Sequence, residues 1–199
     1  MSLLPGALMA VGGVASGLVW RWPSVGQREI GLFRRLNGWR ATPAVDAVVR
    51  LLRPLGTTWG LMLIAAGLFV WDPAAAILLL AMAVFSGVVE RGLKLGLRRK
   101  RPFEVLEGVV VRQVPPPVDP SFPSGDASRA CYLGAALAFG LGWPLLASVA
   151  VLTLAMLVSL GRVRVGVHFP SDVWAGSWLG LGLGVMWAAL LPPFRAWWS

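Results

Sequence analysis

Long apolar runs separated by short charged connections dominate the chain. A membrane-spanning helix needs about 20 apolar residues, with a usual range of about 17–25. Six runs approach this length, and they are Leu3–Trp20, Gly56–Trp71, Ala74–Val89, Ser128–Trp143, Leu145–Leu160 and Val173–Leu191. Asp72-Pro73 and Trp143-Pro144 are expected to form tight turns between neighbouring runs, because proline disfavours a helix interior. The pattern predicts an all-α polytopic membrane protein, a bundle of six transmembrane helices forming a single domain over residues 1–199.

The composition supports a membrane location. Hydrophobic residues make up 57% of the 199 positions and charged residues 14%, with a mean hydropathy of +0.72, whereas soluble domains carry about 25% charged residues. An ordinary soluble globule and a disordered chain are therefore excluded. The first run has no charged residues before it, and Trp20-Arg21-Trp22-Pro23 lacks the small residues of a cleavage site. We therefore expect a retained helix rather than a signal peptide.

The basic residues are concentrated on one side of the predicted bundle. Six spans place the three long connections, Arg21–Leu55, Glu90–Ala127 and Gly161–Asp172, on the same side, and nearly all of the 18 Lys and Arg residues lie there. The positive-inside rule puts this basic side in the cytoplasm and both termini outside, in a multi-pass protein of the plasma (inner) membrane. The net charge of +9 then indicates phosphate or lipid headgroups as partners, and no nucleic acid.

Two stretches of these connections leave alternatives open. Gly26–Arg40 mixes apolar residues with four arginines, which suits either a short helix lying in the membrane interface or a solvated connecting helix. Phe103–Ser121 is either a lid over a site on the basic side or an inert crossover. Within it, Glu104 and Glu107 have no assigned role.

Residue counts and spacings limit what else the chain forms. Gly176, Gly180 and Gly184 recur at every fourth position, which predicts a close helix-packing face. Cys131 is the one cysteine, so no intrachain disulfide can form. His168 is the one histidine, which excludes a metal site built from a histidine cluster.

Three patches on the basic side have chemistry suited to phosphate. They run from Lys94 to Pro102, from Phe122 to Arg129 and from Gly161 to Asp172. Lys94, Arg101 and Arg162 can neutralise a phosphoryl group, and arginine binds phosphate oxygens in a bidentate manner. The Ser124-Gly125 turn opens the fourth run, so the backbone N–H groups at that helix end form an anion site.

A candidate nucleophile lies in the third patch. His168 and Asp172 are spaced i, i+4, so they share a helical face if the sixth helix begins near them. An Asp on one imidazole nitrogen fixes the tautomer and leaves the other nitrogen free to attack. Cations and an oriented nucleophile are what phosphoryl transfer requires, so no metal and no cofactor is needed.

Each feature taken alone also has a plain structural interpretation. Arginine and lysine at helix ends anchor a protein in the interface, serine before a helix is a cap, and a lone His–Asp pair is more often structural than catalytic. The coincidence of all three patches on one membrane face favours the phosphate site.

At these residues the sequence resembles the type 2 phosphatidic acid phosphatase superfamily. The family signature reads Lys-x6-Arg-Pro, then Pro-Ser-Gly-His, then Ser-Arg-x5-His-x3-Asp. Lys94 to Arg101-Pro102 fits the first part, Pro123-Ser124-Gly125 the second, and Arg162, His168 and Asp172 the third. The stretch from Phe122 to Ala130 is also similar to the polyisoprenoid diphosphate phosphatase branch.

The resemblance implies a metal-independent lipid phosphatase acting through a phosphohistidine. His168 would be the nucleophile, and Asp172 would orient and activate it. The phosphoryl oxygens would be held by Lys94, Arg101, Ser124, the Gly125 amide and Arg162.

Two positions depart from the family signature. Gly161 replaces a serine, a small change because backbone contact can remain. Asp126 replaces the second-motif histidine, the catalytic general acid that protonates the leaving oxygen, and with a reference pKa of about 3.9 an Asp is normally ionised. Three accounts stay open. Burial keeps Asp126 protonated, the substrate needs little acid help, or the chain is a non-catalytic relative.

The second account favours a diphosphate substrate. A lipid alcohol leaves as a strongly basic alkoxide, whereas a diphosphate leaves a phosphate monoester with a second pKa of about 6. The leading hypothesis is therefore hydrolysis of an isoprenyl or polyprenyl diphosphate to the monophosphate plus phosphate. The alternatives are a phosphatidate or phosphatidylglycerophosphate phosphatase and a non-catalytic lipid-phosphate-binding or transport protein.

Overall fold

The backbone is helical, with no strand among the residues that the structure describes. The computed structural model describes residues 2–40 and 42–198. Its α-helices over these residues are α1 Leu4–Gly17, α2 Pro23–Gly38, α3 Pro43–Leu52, α4 Thr58–Trp71, α5 Pro73–Leu97, α6 Pro102–Val105, α7 Gly125–Gly140, α8 Leu145–Arg164 and α9 Pro170–Trp198. Short 3₁₀ segments, Leu18–Arg21 and Arg53–Gly56, follow α1 and α3. The all-α prediction is confirmed.

The predicted apolar runs form helices, but fewer of them meet the requirements of a span. Within residues 2–40 and 42–198, four helical segments are long and apolar enough to cross a membrane: Leu4–Arg21, Pro73–Val105, Leu145–Arg164 and Pro170–Trp198. A fifth exists if α3 and α4, bent by 61° relative to each other, form one broken span. The chain is therefore a multi-pass membrane protein, while the predicted count of six spans is not confirmed.

α7 falls short of a span even when the bent pair of α3 and α4 is counted as one, because the signals for the two ends of α7 lie close together. It has 16 residues, below the roughly 17–25 of a full span. Ser124 caps its first turn, and Gly142, with a φ of +65°, lies just beyond its end. Most of its length is buried against α8 and α9, so protein rather than lipid surrounds it.

The glycines of α9 bring the helices of the bundle into close contact. A Cβ at Gly176 would lie 2.3 Å from the Ser124 carbonyl oxygen, and one at Gly180 would lie 2.1 Å from the Ser128 carbonyl oxygen. The predicted packing face is therefore confirmed, and α7 is the helix it contacts. On the other side of α9, a Cβ at Gly182 would lie 2.3 Å from the Gly6 carbonyl oxygen of α1.

Replacing Gly180 with alanine is expected to destabilise the bundle by about 1–3 kcal/mol, since the added methyl group meets backbone that cannot move aside. Gly87→Ala on α5 is the matched control, because a Cβ there meets nothing within 4 Å and alanine favours a helix. The measurement is the thermal unfolding of both variants in detergent. An equal melting temperature for the two would contradict the packing argument.

The turn between α4 and α5 forms at the predicted proline. The Asp72 carboxylate caps α5 by accepting a hydrogen bond from the Ala75 N–H at 3.0 Å. Arg195 of α9 donates to the same carboxylate through its Nε at 3.0 Å. This end of the bundle is therefore fastened by an ion pair between α9 and the α4–α5 turn.

α2 forms the helix predicted in the first long connection, and one face of it packs inward. Glu29, Phe33 and Asn37, spaced four residues apart, are its buried residues. Leu32 and Trp39 are exposed, which suits the membrane interface, although that placement stays a prediction. The buried stripe lies against the region that holds the candidate site.

Candidate functional site

The three sequence patches meet at one end of the bundle. Lys94 lies in the last turn of α5, Ser124 to Asp126 open α7, Arg162 lies in the last turn of α8, and His168 and Asp172 flank the start of α9. Hydrogen bonds, ion pairs and close packing join all eight predicted site residues into one continuous group, directly or through Glu90, Asp119 and Arg129. The residue list predicted from sequence is therefore brought together in space.

The link between His168 and Asp172 runs through a serine. The direct separation from His168 Nδ1 to Asp172 Oδ2 is 3.7 Å, too long for a hydrogen bond. Ser121 Oγ lies between them, 3.4 Å from Nδ1 and 2.5 Å from Oδ2. The expected direct contact is thus replaced by a relay, because the Asp172 carboxylate is already engaged by the Phe169 N–H at 2.8 Å.

These contacts assign the tautomer of the imidazole. The Ser121 hydroxyl donates to the carboxylate, so its oxygen is left to accept from His168 Nδ1–H. The other nitrogen, Nε2, then carries the lone pair and faces Arg101 Nη1 at 3.2 Å. Burial lowers the pKa of His168 to about 4, with Arg101 and Arg162 adding to the shift and Asp172 opposing it. The imidazole is neutral at physiological pH.

The titration of His168 is directly measurable, because it is the one histidine of the chain. We expect its imidazole resonances, recorded on protein without a histidine tag, to titrate with a midpoint near 4 rather than the reference value of about 6.5. The folded pKa lies below the unfolded one, so folding stability falls as pH falls from about 6.5 toward 4. A midpoint near 6.5 in the folded protein would contradict the buried, neutral assignment.

Arg99 is a site residue that the sequence reasoning missed. Its Nη1 donates to Asp172 Oδ1 and its Nη2 to Glu29 Oε2, both at 2.6 Å. The guanidinium lies 4.3 Å from the ring centroids of Trp20 and Phe169, a cation–π arrangement that holds it in place. Glu29 and Arg99 therefore fix the carboxylate that anchors the serine relay.

The backbone at the end of α5 explains why Arg99 and Arg101 point inward. Arg98 adopts a left-handed conformation with a φ of +46° and ends the helix. Beyond it the chain is extended, so successive side chains alternate. Arg99 and Arg101 are buried, whereas Arg98 and Lys100 are exposed. The run of four basic residues, 98–101, does not reveal this alternation by itself. The alternation can be predicted only when the end of α5 is already known.

A carboxylate from the linker pairs with two of the cations that were predicted to bind phosphate. Asp119 Oδ2 lies 2.5 Å from Lys94 Nζ, and its Oδ1 lies 2.8 Å from Arg101 Nη2. Partial burial acts to raise the pKa of Asp119, but Lys94 and Arg101 outweigh it and lower the pKa to about 2. In this structure the chain itself thus supplies a counter-charge to both cations.

The start of α7 is built around Ser124 and Gly125. Ser124 Oγ accepts from the Ala127 N–H at 3.5 Å, and the Ser124 N–H donates to the Asp172 carbonyl oxygen at 2.9 Å. A Cβ on Gly125 would lie 2.2 Å from Glu90 Oε1, and the same carboxylate pairs with Lys94 at 2.6 Å. A side chain at position 125 would displace the partner that orients Lys94.

Asp126 pairs with two arginines. Its Oδ1 lies 2.9 Å from Arg129 Nη2 and its Oδ2 lies 3.2 Å from Arg162 Nη1. Burial acts to raise the pKa of Asp126, but the charges of Arg162 and Arg129 outweigh it, and the pKa lies below its usual value. An ionised Asp126 has no proton to give, which goes against the first of the three accounts and against a general-acid role in this arrangement.

Gly161, the other departure from the family signature, lies against α3. A Cβ at this position would be 3.1 Å from Val49 Cγ1, a tight contact. The glycine leaves space for α3 to approach α8 beside the site.

The linker between α6 and α7 is part of the site. Besides Asp119 and Ser121, it contributes Gln113, whose Oε1 accepts from Arg162 Nη2 at 2.7 Å. The Val110 N–H donates to Asn37 Oδ1 of α2 at 3.0 Å, which fixes the linker across the end of the bundle. These contacts make the linker part of the site, and they favour the lid alternative over an inert crossover.

Comparisons with known proteins agree with this geometry. The sequence profile of the PAP2 superfamily matches residues 74–196. Among solved structures, LpxE from Aquifex aeolicus is 28% identical with a TM-score of 0.70, over 79% of this chain and 92% of that one. The first transmembrane PAP2-type phosphatidylglycerolphosphate phosphatase from Bacillus subtilis is 21% identical with a TM-score of 0.78, over 98% of this chain and 97% of that one. No curated protein matches the sequence.

Proposed function

Since this chain belongs to the PAP2 superfamily and is a membrane lipid phosphatase, we propose that it hydrolyses an isoprenyl or polyprenyl diphosphate to the monophosphate plus phosphate, with His168 as the nucleophile. The observation that carries the choice of substrate is the pairing of Asp126 with Arg129 and Arg162. It leaves no proton donor at the position where the family signature has a histidine.

Substrate binding begins with an exchange of anions. The terminal phosphoryl group takes the place of the Asp119 carboxylate between Lys94 and Arg101. Arginine and lysine stabilise the charge on the equatorial oxygens of a transferring phosphoryl group. Arg101 then turns its Nη1 from His168 Nε2 to a phosphoryl oxygen, which frees the lone pair that faces the phosphorus.

The first chemical step forms an N–P bond and breaks a P–O bond. His168 Nε2 attacks the terminal phosphorus, and the electron pair of the broken bond leaves with the bridging oxygen as a lipid monophosphate. The positive charge that develops on the imidazole is stabilised through Ser121 and the Asp172 carboxylate. In the second step water attacks the phosphohistidine, the N–P bond breaks, inorganic phosphate leaves, and the histidine is restored.

The leaving group decides how much an acid matters. A lipid monophosphate with a second pKa of about 6 departs without a proton, whereas an alkoxide requires one, and general acid catalysis contributes about 10²–10⁴-fold. The ionised Asp126 is therefore compatible with diphosphate cleavage and poorly suited to cleavage of a phosphate monoester.

The decisive experiment is phosphate release by the purified protein in detergent with EDTA. The substrates are farnesyl diphosphate, a long polyprenyl diphosphate, a polyprenyl monophosphate, phosphatidate and phosphatidylglycerophosphate. We expect faster release from the diphosphates. Comparable release from phosphatidate would keep the enzyme class but overturn the leaving-group argument, and no release from a folded protein that binds the lipids would favour the non-catalytic alternative.

We place the site on the cytoplasmic side of the plasma membrane, on the strength of the positive-inside rule. The native Cys131 is buried, so we expect a maleimide to label only the introduced cysteine. Glu107→Cys, at an exposed linker position, is expected to react with an impermeant maleimide only after the cells are opened. Trp71→Cys, at the opposite α4–α5 turn, is the control expected to react from outside. Labelling of the Glu107 variant in intact cells would reverse the assignment.

A further inference from the structure

A second cationic space lies directly beside the candidate site. It is a cavity of about 330 Å³ between α3, the linker and α8. Four of its lining side chains are arginines, namely Arg50, Arg53, Arg112 and Arg162. Of these, only Arg162 belongs to the family signature, so the motifs do not account for the cavity.

Two of these guanidinium groups have buried N–H groups without an acceptor. Arg53 Nε and Arg162 Nε are inaccessible to solvent and make no hydrogen bond to any residue in the described ranges 2–40 and 42–198. Arg162 is 4% exposed. A buried donor without a partner costs about 1–3 kcal/mol, and it is uncommon in folded proteins. Both arginines line the same cavity, and an acceptor bound there would satisfy these N–H groups once the guanidinium groups turn toward it.

The negative charge available around the cavity does not match its positive charge. Asp126 pairs with Arg162 at 3.2 Å, and Asp46 pairs with Arg112 at 3.5 Å. Asp46 also pairs with Arg164 at 2.9 Å, so its charge is divided. An anion with several oxygens, as in a phosphoryl group, is the ligand that arginine forks bind best.

The cavity and the candidate site share the Arg162 side chain. Arg162 lines the cavity and, through Nη1, contacts Asp126 at the start of α7. Val49, Val158 and Val165 supply an apolar surface in the same space. The cavity volume of about 330 Å³ is roughly ten times the 30 Å³ that one water occupies, and the apolar surface suits the first carbons of a lipid.

We propose that this arginine cavity is a subsite for a second phosphoryl group, joined through the bridging oxygen to the phosphoryl group that His168 attacks. The inference rests on the proposed function and adds the residues that select a diphosphate. When the bond to the bridging oxygen breaks, the negative charge that develops on the departing monophosphate is stabilised by Arg53 and Arg162. The fixed positive charges of Arg53 and Arg162 thus stabilise the leaving group in place of a proton donor, and no proton has to be added to the leaving oxygen.

Arg53→Gln is the test variant, because Arg53 lies outside the family motifs. We expect it to lower the ratio of kcat/KM for farnesyl diphosphate to kcat/KM for farnesyl monophosphate by about 10- to 100-fold, the range for a lost hydrogen bond to a charged group. Arg53→Lys keeps the charge but loses the fork, and we expect an intermediate ratio. Arg34→Gln, at an exposed position on α2, is the matched control and should leave the ratio unchanged.

A binding measurement separates failure of the subsite from failure of the proposed function. In the His168→Ala background, methylenediphosphonate should raise the melting temperature more than orthophosphate does, and Arg53→Gln should remove that difference. This readout needs no catalysis, so it stands even if no lipid is hydrolysed. Equal stabilisation by the two anions, or an unchanged kcat/KM ratio in Arg53→Gln, would overturn the subsite. Arg53-dependent stabilisation by short-chain phosphatidylglycerol but not by methylenediphosphonate would also overturn it, and would assign the cavity to a neighbouring lipid headgroup.

Discussion

Replacing His168 with alanine is expected to lower phosphate release from a lipid diphosphate by at least about 10⁴-fold, the scale of loss when a nucleophile is removed. His168 Nε2 is the atom that the serine relay leaves unprotonated, and it lies next to Arg101. The chain has no second histidine to take its place. Residual activity would come only from the cations that hold the phosphoryl group.

The measurement is a rapid quench with substrate labelled in its terminal phosphoryl group. The unaltered protein should acquire label that is stable to base and labile to acid, as a phosphohistidine is, and the variant should acquire none. An unchanged melting temperature of the variant shows that the fold is retained. Label that persists in His168→Ala would place the nucleophile on another residue.

Replacing Asp126 with histidine is expected to raise turnover of a lipid monophosphate by about 10²-fold, the lower end of what a general acid contributes. The substitution adds a proton donor where Asp126 now pairs with Arg129 and Arg162. Turnover of the diphosphate should change little, because its leaving group needs no proton. Monophosphate turnover should also fall as pH rises above the pKa of the new imidazole, about 6.5 in its unperturbed state, since only the protonated form can donate.

Asp126→Asn is the matched control for this variant. It removes the carboxylate charge and weakens the same ion pairs without supplying an acid. A rise in monophosphate turnover in both variants would mean that freeing Arg162, and not proton donation, is responsible. No change on any substrate in Asp126→His would show that the position takes no part in proton transfer.

The core of the site was predictable because its residues lie at helix ends in fixed spacing. His168 and Asp172 lie four residues apart, one on each side of the start of α9, and Ser124-Gly125 opens a helix that the apolar pattern predicts. Local sequence is enough to place such residues on one membrane face. The sequence predicted a direct contact between His168 and Asp172. It did not predict that Ser121 lies between them, because Ser121 comes from the linker, which has no hydrophobic periodicity.

The residues that support the site were missed because they come from distant parts of the chain. Glu29 contacts Arg99 across 70 positions of sequence, and nothing in the composition of α2 marks its buried stripe as part of the site. Asp119 and Gln113 lie in a proline-rich linker whose path is set by tertiary contacts. The predicted count of six spans is not confirmed, since hydropathy does not fix where a helix ends and α7 has only 16 residues.

The Asp119 carboxylate has a consequence for product release. It is tethered beside Lys94 and Arg101, and a tethered group competes at an effective concentration on the order of millimolar. Each time inorganic phosphate dissociates, this carboxylate pairs with Lys94 and Arg101 again before another phosphate can bind to them. The enzyme is therefore expected to resist inhibition by the orthophosphate that accumulates around it, while a lipid delivered at high local concentration by the bilayer still displaces the carboxylate.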